Sequence, residues 1–229
     1  MKSIASLTAG AIAVALVSAA DGAMIAGWSI TTAFPTGTGN VPTGNTYSVG
    51  AADQGDQTAG STLSSYHLLA AATYTSPAGN GSQYAFSSNN WSIGDYYEAR
   101  VSTSNYANIS VSWDQARSST GPASFELIFS VDGGQSWINA ATYTVLQSGG
   151  GGAPGTWSST TYNAIYTNNQ ALAGADNASE LIIRFRSLAT GAATGSNRID
   201  NVVISGDLVP APGAVALLAV AGLASRRRR

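Results

Sequence analysis

Acid–base chemistry in this chain would have to come from very few residues. Its glutamates are Glu98, Glu126 and Glu180, and His67 is its single histidine. A glycosidase needs two carboxyl groups about 5–9.5 Å apart. Glu98 and Glu126, however, fall on the solvent-facing phase of two alternating segments, which suits solubility better than catalysis. His67 sits among apolar neighbours, and neither a Ser/His/Asp triad nor a multi-histidine metal site can be assembled around it. No catalytic residue and no cofactor is expected.

Asp200 asks for a partner. In Arg198-Ile199-Asp200-Asn201-Val202-Val203-Ile204, inward-facing Val202 and Ile204 would by period two carry Asp200 onto the same buried face. A buried carboxylate must be paired or bound to metal. Pairing with Arg117 or Arg198 is one solution. The other is a structural Ca²⁺ held by Asp200, backbone carbonyls and Asp53 or Asp56. A different chemistry is offered by Trp91, Tyr96, Trp157, Tyr162 and Tyr166, which lie in or near loop-rich stretches where amphipathic rings could stack on sugars. The first four form a candidate glycan platform. Gly149 to Gly152 do not form a phosphate cradle, because no Lys-Ser/Thr follows and no helix begins there.

The elements that must position these residues read as strands. Ile109, Val111 and Trp113 alternate with Ser110, Ser112 and Asp114, and Phe125, Leu127 and Phe129 repeat the pattern. Tyr97, Ala99 and Val101 fit more weakly. Residues 24–32, 63–74, 181–186 and 199–204 complete the apolar segments, while no part of the body shows a capped 3.6-residue period. Nine or ten short strands between turns predict an all-β domain, a single antiparallel β-sandwich of the jelly-roll type. It should occupy residues 24–208, flanked by an N-terminal signal helix within 1–23 and a C-terminal hydrophobic helix within 209–229.

Composition limits the function classes. The 229 residues include no cysteine, and only 10% are charged, against roughly 25% in ordinary globular proteins. A body of about 185 residues can bury a sufficient core without disulfides. Setting the termini aside leaves five basic against eleven acidic residues, or about minus six. So few cations exclude a nucleic-acid footprint.

Both ends read as targeting signals. Lys2, the apolar stretch Ala9 to Val17 and the small residues Ser18-Ala19-Ala20 form a signal peptide. Signal peptidase should cut after Ala20, with Ala23 as second choice. At the other end Val209-Pro210-Ala211-Pro212-Gly213 precedes an apolar run, residues 214–224, then Ser225 and Arg226, Arg227, Arg228 and Arg229. The eleven-residue run spans only about 16 Å as a helix, against a hydrocarbon core of roughly 30 Å. Counted from Pro212 to Arg229 with snorkelling arginines it reaches about 27 Å. The arginines would keep their end cytoplasmic, and the body would lie outside.

This order of Pro-x-Pro, short apolar helix and arginine cluster resembles the PEP-CTERM sorting signal of bacterial surface proteins. The resemblance implies recognition and cleavage by a membrane-embedded exosortase, transient anchoring through the C-terminal helix, and delivery to the envelope or exopolymer. Ala211 stands where that family usually has Glu.

A second resemblance lies inside the body. Ser130-Val131-Asp132-Gly133-Gly134-Gln135-Ser136-Trp137 looks like an Asp-box, a hairpin device of secreted β-proteins. Ser130, Asp132, Gly134 and Trp137 hold its key positions. A carboxylate bonding its own turn, glycines at positive φ and a tryptophan packed across the hairpin give it a structural role. A propeller would need several copies, and there is one. The segment from about Trp113 to Gly206 loosely resembles the jelly-roll bodies of secreted bacterial proteins, some of them carbohydrate-binding modules. The expected function is therefore a secreted cell-envelope or matrix protein with a non-catalytic structural or adhesive role. A carbohydrate-binding module, with exopolysaccharide as partner, is the alternative, and a glycoside hydrolase ranks third.

Overall fold

A computed structural model describes residues 22–33 and 40–210. The signal peptide and the tail beyond Pro210 lie outside the described residues, and with them both flanking helices. Among the described residues no helix is long and apolar enough to cross a membrane. In chain order the strands are β1 (Ala23–Trp28), β2 (Asn40–Val41), β3 (Thr46–Gly50), β4 (Thr62–Tyr66), β5 (Ala72–Thr75), β6 (Phe86–Asn89) and β7 (Tyr96–Val101). There follow β8 (Tyr106–Arg117), β9 (Ser124–Ser130), β10 (Ile138–Thr144), β11 (Leu146–Gln147), β12 (Thr167–Ala171), β13 (Leu181–Ser187) and β14 (Ser196–Leu208).

These strands form two sheets, and the all-β expectation holds. The first runs β11-β8-β14-β6-β5-β2, with β1 also on β14 and β12 also on β8; the second runs β10-β9-β13-β7-β4-β3. Every pairing is antiparallel except the short parallel contact of β11 with β8. The inner faces meet in one core. Ile109, Val111 and Trp113 of β8 lie with Ile199, Val202 and Ile204 of β14, opposite Phe125, Leu127 and Phe129 of β9 and Leu181, Ile183 and Phe185 of β13. Trp113 packs 5.0 Å from Phe185 and 5.1 Å from Tyr143 between ring centroids.

Three expectations need correction. Residues 63–74 do not form one apolar element: β4 belongs to the second sheet and β5 to the first, so the chain crosses the sandwich between them. Leu68 and Leu69, in the crossing loop, are exposed. The opening strand stops at Trp28, because Ile30 takes a φ of +47°, which an extended strand cannot continue. Most consequentially, Asp200 does not share the face of Val202 and Ile204. Asp200 faces Asp114 and Val203 faces Ser112, so three steps on β14 answer two on β8. That extra residue is a β-bulge, marked by Asn201 at φ +46°. Ile199, Val202 and Ile204 point into the core, whereas Asp200 and Asp114 stand on the outer face under covering loops.

Trp91 is also corrected. Its ring is 1% exposed, lies 4.9 Å from Tyr97 and 5.6 Å from Phe125, and its indole N–H donates to the Ser88 carbonyl at 2.9 Å. It is a core residue and cannot meet a glycan. Trp91→Ala is expected to lose about 3–5 kcal/mol of stability, read from the urea midpoint at unchanged slope, because neighbouring rings cannot collapse into so large a void.

Candidate functional site

The most concentrated chemistry lies on the outer face of the first sheet, where the register sets Asp114 of β8 directly across from Asp200 of β14. Both carboxylates are buried, at 1% and 0% exposure. The loop 77–84 closes over them from one side. Asn80 donates its backbone N–H to Asp200 Oδ2 at 2.7 Å, and Ser82 Oγ donates to the same oxygen at 2.5 Å. Asp114 Oδ2 accepts from Asn80 Nδ2 at 3.0 Å and from Asn201 Nδ2 at 2.7 Å, while its Oδ1 accepts from Thr167 Oγ1 at 2.5 Å. Asp200 Oδ1 accepts nothing. Burial pushes the Asp200 carboxyl up to about 7; its hydrogen bonds pull the other way, and the charge of Asp114 adds to the rise.

The loop 156–167 closes the other side and carries two of the sequence's glycan candidates. Asn163 donates its backbone N–H to Asn80 Oδ1 at 2.9 Å, which ties the two loops together. Tyr162, 54% exposed, lies 2.6 Å through its hydroxyl from Thr167 Oγ1, so a hydrogen-bonded path leads from the surface to Asp114. Trp157 is half-buried, edge-on to Tyr166 at 5.2 Å, with its N–H donated to the Ala78 carbonyl at 2.8 Å. Trp157 and Tyr162 thus both lie on the loop that closes over the acidic pair.

The expected partners of Asp200 are elsewhere. Asp53 accepts from Ser29, and Asp56 accepts from the Tyr106 hydroxyl at 2.8 Å. Arg117 donates to the carbonyls of Val145, Ser118 and Ser119. The Arg198 guanidinium lies 5.8 Å from the Trp157 ring centre, and none of the ion pairs among the described residues includes Asp114 or Asp200. The sequence pointed to Asp200 but missed Asp114, Asn80, Ser82, Asn201 and Thr167, which only the register and the loop closures assemble. The one readable signal was alternation, which set Asp114 opposite in phase to Trp113.

Tyr96 stands on the other sheet. On its outer face Tyr66 of β4 stacks on Tyr96 of β7 at 5.3 Å, and the Arg184 guanidinium of β13 inserts between Tyr96, at 4.0 Å, and Trp137, at 4.2 Å. Since β4 and β13 flank β7 on opposite sides, both faces of Tyr96 are occupied, and it is not a free stacking surface. Beneath this column Glu98 accepts from Arg100 Nε and Arg184 Nε, each at 2.7 Å, and Glu126 pairs with Arg186 at 2.6 Å. Both glutamates face outward as the alternation predicts, yet the arginines bury them, at 5% and 8% exposure. His67 is buried with its Nδ1 3.0 Å from Asp95 Oδ2. Because its other Nδ1 neighbour is the Asn90 carbonyl, that nitrogen carries the proton.

Opposite poles of the sandwich differ. β1 begins and β14 ends at the same pole, where Ala23 pairs with Gly206 and Val209 follows Leu208. At the far end of β14, about 40 Å away at 3.3 Å per strand residue, Leu68, Leu69, Ile93 and Leu188 are exposed to 49, 68, 59 and 38%. Asp95 gathers them. Its Oδ1 accepts from the Leu68 N–H at 2.8 Å, its Oδ2 from the Ser92 N–H at 2.6 Å, and its carbonyl from the Ser187 N–H at 2.8 Å.

No family model matches the chain, and no curated protein does. Among solved structures it is similar to the K1 cleaved adhesin domain of Lys-gingipain from Porphyromonas gingivalis, at 10% identity and a TM-score of 0.42, over 79% of this chain and 97% of that one. It is also similar to a family 29 carbohydrate-binding module from Piromyces equi, at 6% identity and a TM-score of 0.36, over 71% and 91% respectively. Likeness at this level transfers no activity.

The β9–β10 hairpin is bonded within its own turn. Asp132 Oδ1 accepts from the N–H groups of Gln135 and Ser136 at 3.0 and 2.9 Å and from Ser130 Oγ at 2.7 Å; Gly133 and Gly134 take φ of +73° and +88°, and Trp137 Nε1 donates to the Gly134 carbonyl. These bonds, those from Ser136 foremost, hold the Asp132 carboxyl well below the usual range. A carboxyl lowered on folding stabilises above its unfolded value near 3.9, and that contribution drains away as pH falls toward the folded value. Asp132→Asn should therefore lower the thermal midpoint at pH 7, with the gap to the native protein narrowing steadily below about pH 4.

Proposed function

We propose that this chain is an exported, non-catalytic surface protein that adheres through the pole farthest from its C-terminal tail. The observation that carries this reading is the set of exposed aliphatic side chains at that pole, Leu68, Leu69, Ile93 and Leu188, on three loops pinned to Asp95. Clustered exposed apolar residues mark contact surfaces. A tail anchored in the membrane would turn this pole outward. The non-catalytic reading is supported by Glu98 and Glu126, both engaged in ion pairs with arginines. The sandwich reads as a jelly roll, since β6, β7, β8 and β9 alternate between the sheets.

Sorting by signal peptidase and an exosortase-like enzyme rests on the termini of the sequence. The start of β1 at Ala23 supports cleavage after Ala20, because a cut after Ala23 would remove the residue paired with Gly206. Mass spectrometry of the mature protein should find Asp21 at its N-terminus and a C-terminus near Pro210–Gly213. Retention of the four arginines would remove the processing step.

A second reading, glycan binding, is favoured by Trp157 and Tyr162 over the acidic pair. One set of variants separates the two. Leu69→Asp with Ile93→Asp should reduce adhesion of protein-coated beads to the producing cells by about tenfold or more at an unchanged thermal midpoint. Trp157→Ala with Tyr162→Ala should leave it unaltered. The reverse outcome, with polysaccharide pull-down lost only in the aromatic variant, would replace adhesion by glycan binding.

A further inference from the structure

We propose that Asp114 and Asp200 together hold a divalent cation of the calcium class on the outer face of the first sheet. The inference starts from an imbalance. Two carboxylates face each other across β8 and β14, both removed from water, with no basic side chain paired to either. Like charges so placed cannot both stay ionised without compensation. Asp114 is well supplied, with three donors on its two oxygens. Asp200 is less evenly supplied: Oδ2 takes the donors from Asn80 and Ser82, and the Asn201 N–H also favours the charged carboxyl, yet Oδ1 is buried with no donor in hydrogen-bonding geometry. A buried carboxylate oxygen without a donor requires an ion, a water or a proton.

The surroundings choose among these by their chemistry. Oxygen converges beside Gly79, where a Cβ would lie 1.9 Å from Ser82 Oγ, 2.5 Å from Asp200 Oδ2 and 2.7 Å from the Tyr84 carbonyl. Any side chain there would displace these oxygens, which Ser82 Oγ links by donating to Asp200 Oδ2 and to the Tyr84 carbonyl, so glycine is what lets them gather. The donors are hard oxygens throughout: carboxylates, a hydroxyl and a carbonyl. No cysteine exists in the chain, and the single histidine is bonded to Asp95 and Ser88. This set suits Ca²⁺, which accepts carboxylates, neutral carbonyls, hydroxyls and water in an irregular shell, rather than Zn²⁺ or other thiolate- and imidazole-seeking metals. No group of three His, Cys, Asp or Glu converges among the described residues, so the ion's remaining ligands are neutral oxygens. The site uses Asp200 as the sequence proposed, with Asp114 in place of Asp53 or Asp56.

The test uses the intact protein, stripped with a chelator and then titrated. Calcium at about 100 times its dissociation constant should raise the thermal midpoint by roughly 5–10 °C. Terbium should bind one ion per chain and be displaced by calcium. Asp200→Asn and Asp114→Asn should each weaken calcium binding by at least about 100-fold, and the milder Ser82→Ala by about tenfold. Should the aspartate variants fail to fold, Ser82→Ala and the terbium stoichiometry decide. A native protein that binds neither ion overturns the proposal in favour of a proton on Asp200. Undiminished binding in Ser82→Ala and in the aspartate variants that fold overturns it in favour of a site elsewhere.

Discussion

One extra residue in β14 decides which side of the first sheet carries charge. β14 pairs with β1, β6 and β8 and is the spine of that sheet. Without the bulge at Asn201, the alternation that buries Val202 and Ile204 would drive Asp200 into the apolar core and swing Ile199 out. Stranding an ionised carboxylate there would cost several kcal/mol. The bulge lets the strand bury Ile199, Val202 and Ile204 at 0% exposure while delivering Asp200 to Asp114 on the opposite face. Asn is suited to the place because it tolerates positive φ, and its amide then serves as a donor to Asp114.

The few charges of this chain are spent inside. Asp95, Glu98, Asp114, Glu126 and Asp200 are buried, nearly half of the eleven acids in the body. Each joins segments far apart in sequence: Glu98 binds Arg184 of β13, Asp114 receives loops 77–84 and 156–167, and Asp95 collects three loops at the far pole. Such pairs contribute little net stability once desolvation is counted. What they supply is geometry, because misplacing any partner strands a charge. In a domain without cysteine they hold loops in position, a task disulfides perform in many secreted proteins.

Local periodicity made the sheets legible, and non-local pairing hid the site. The alternations at Ile109, Val111 and Trp113 and at Phe125, Leu127 and Phe129 were visible because each strand has one buried face. The Asp132 hairpin was visible because all its bonds are local. Residues 63–74 misled because an apolar run is ambiguous when the chain changes sheets within it. Trp91 misled because a residue in a turn between strands can still point inward, and Tyr96 because a half-exposed ring can have both faces covered. The acidic pair was half legible. Phase within one strand says which residues share a face, but only register says that residue 114 meets residue 200, and the bulge altered even the phase.

The contact proposed for the far pole would come at low entropic cost. Exposed leucines on free loops would lose backbone freedom on binding, which weakens association. Here that ordering is done in the fold. Asp95 is fully buried, fixes the Leu68 and Ser92 amides with its two oxygens and the Ser187 amide with its carbonyl, and is itself fixed by His67. Gly94 donates back to the Ser187 carbonyl at 2.9 Å, so the loops bearing Ile93 and Leu188 are joined directly. The aliphatic side chains therefore stand on a rigid base, and a partner meeting them gains apolar burial without first having to order the loops.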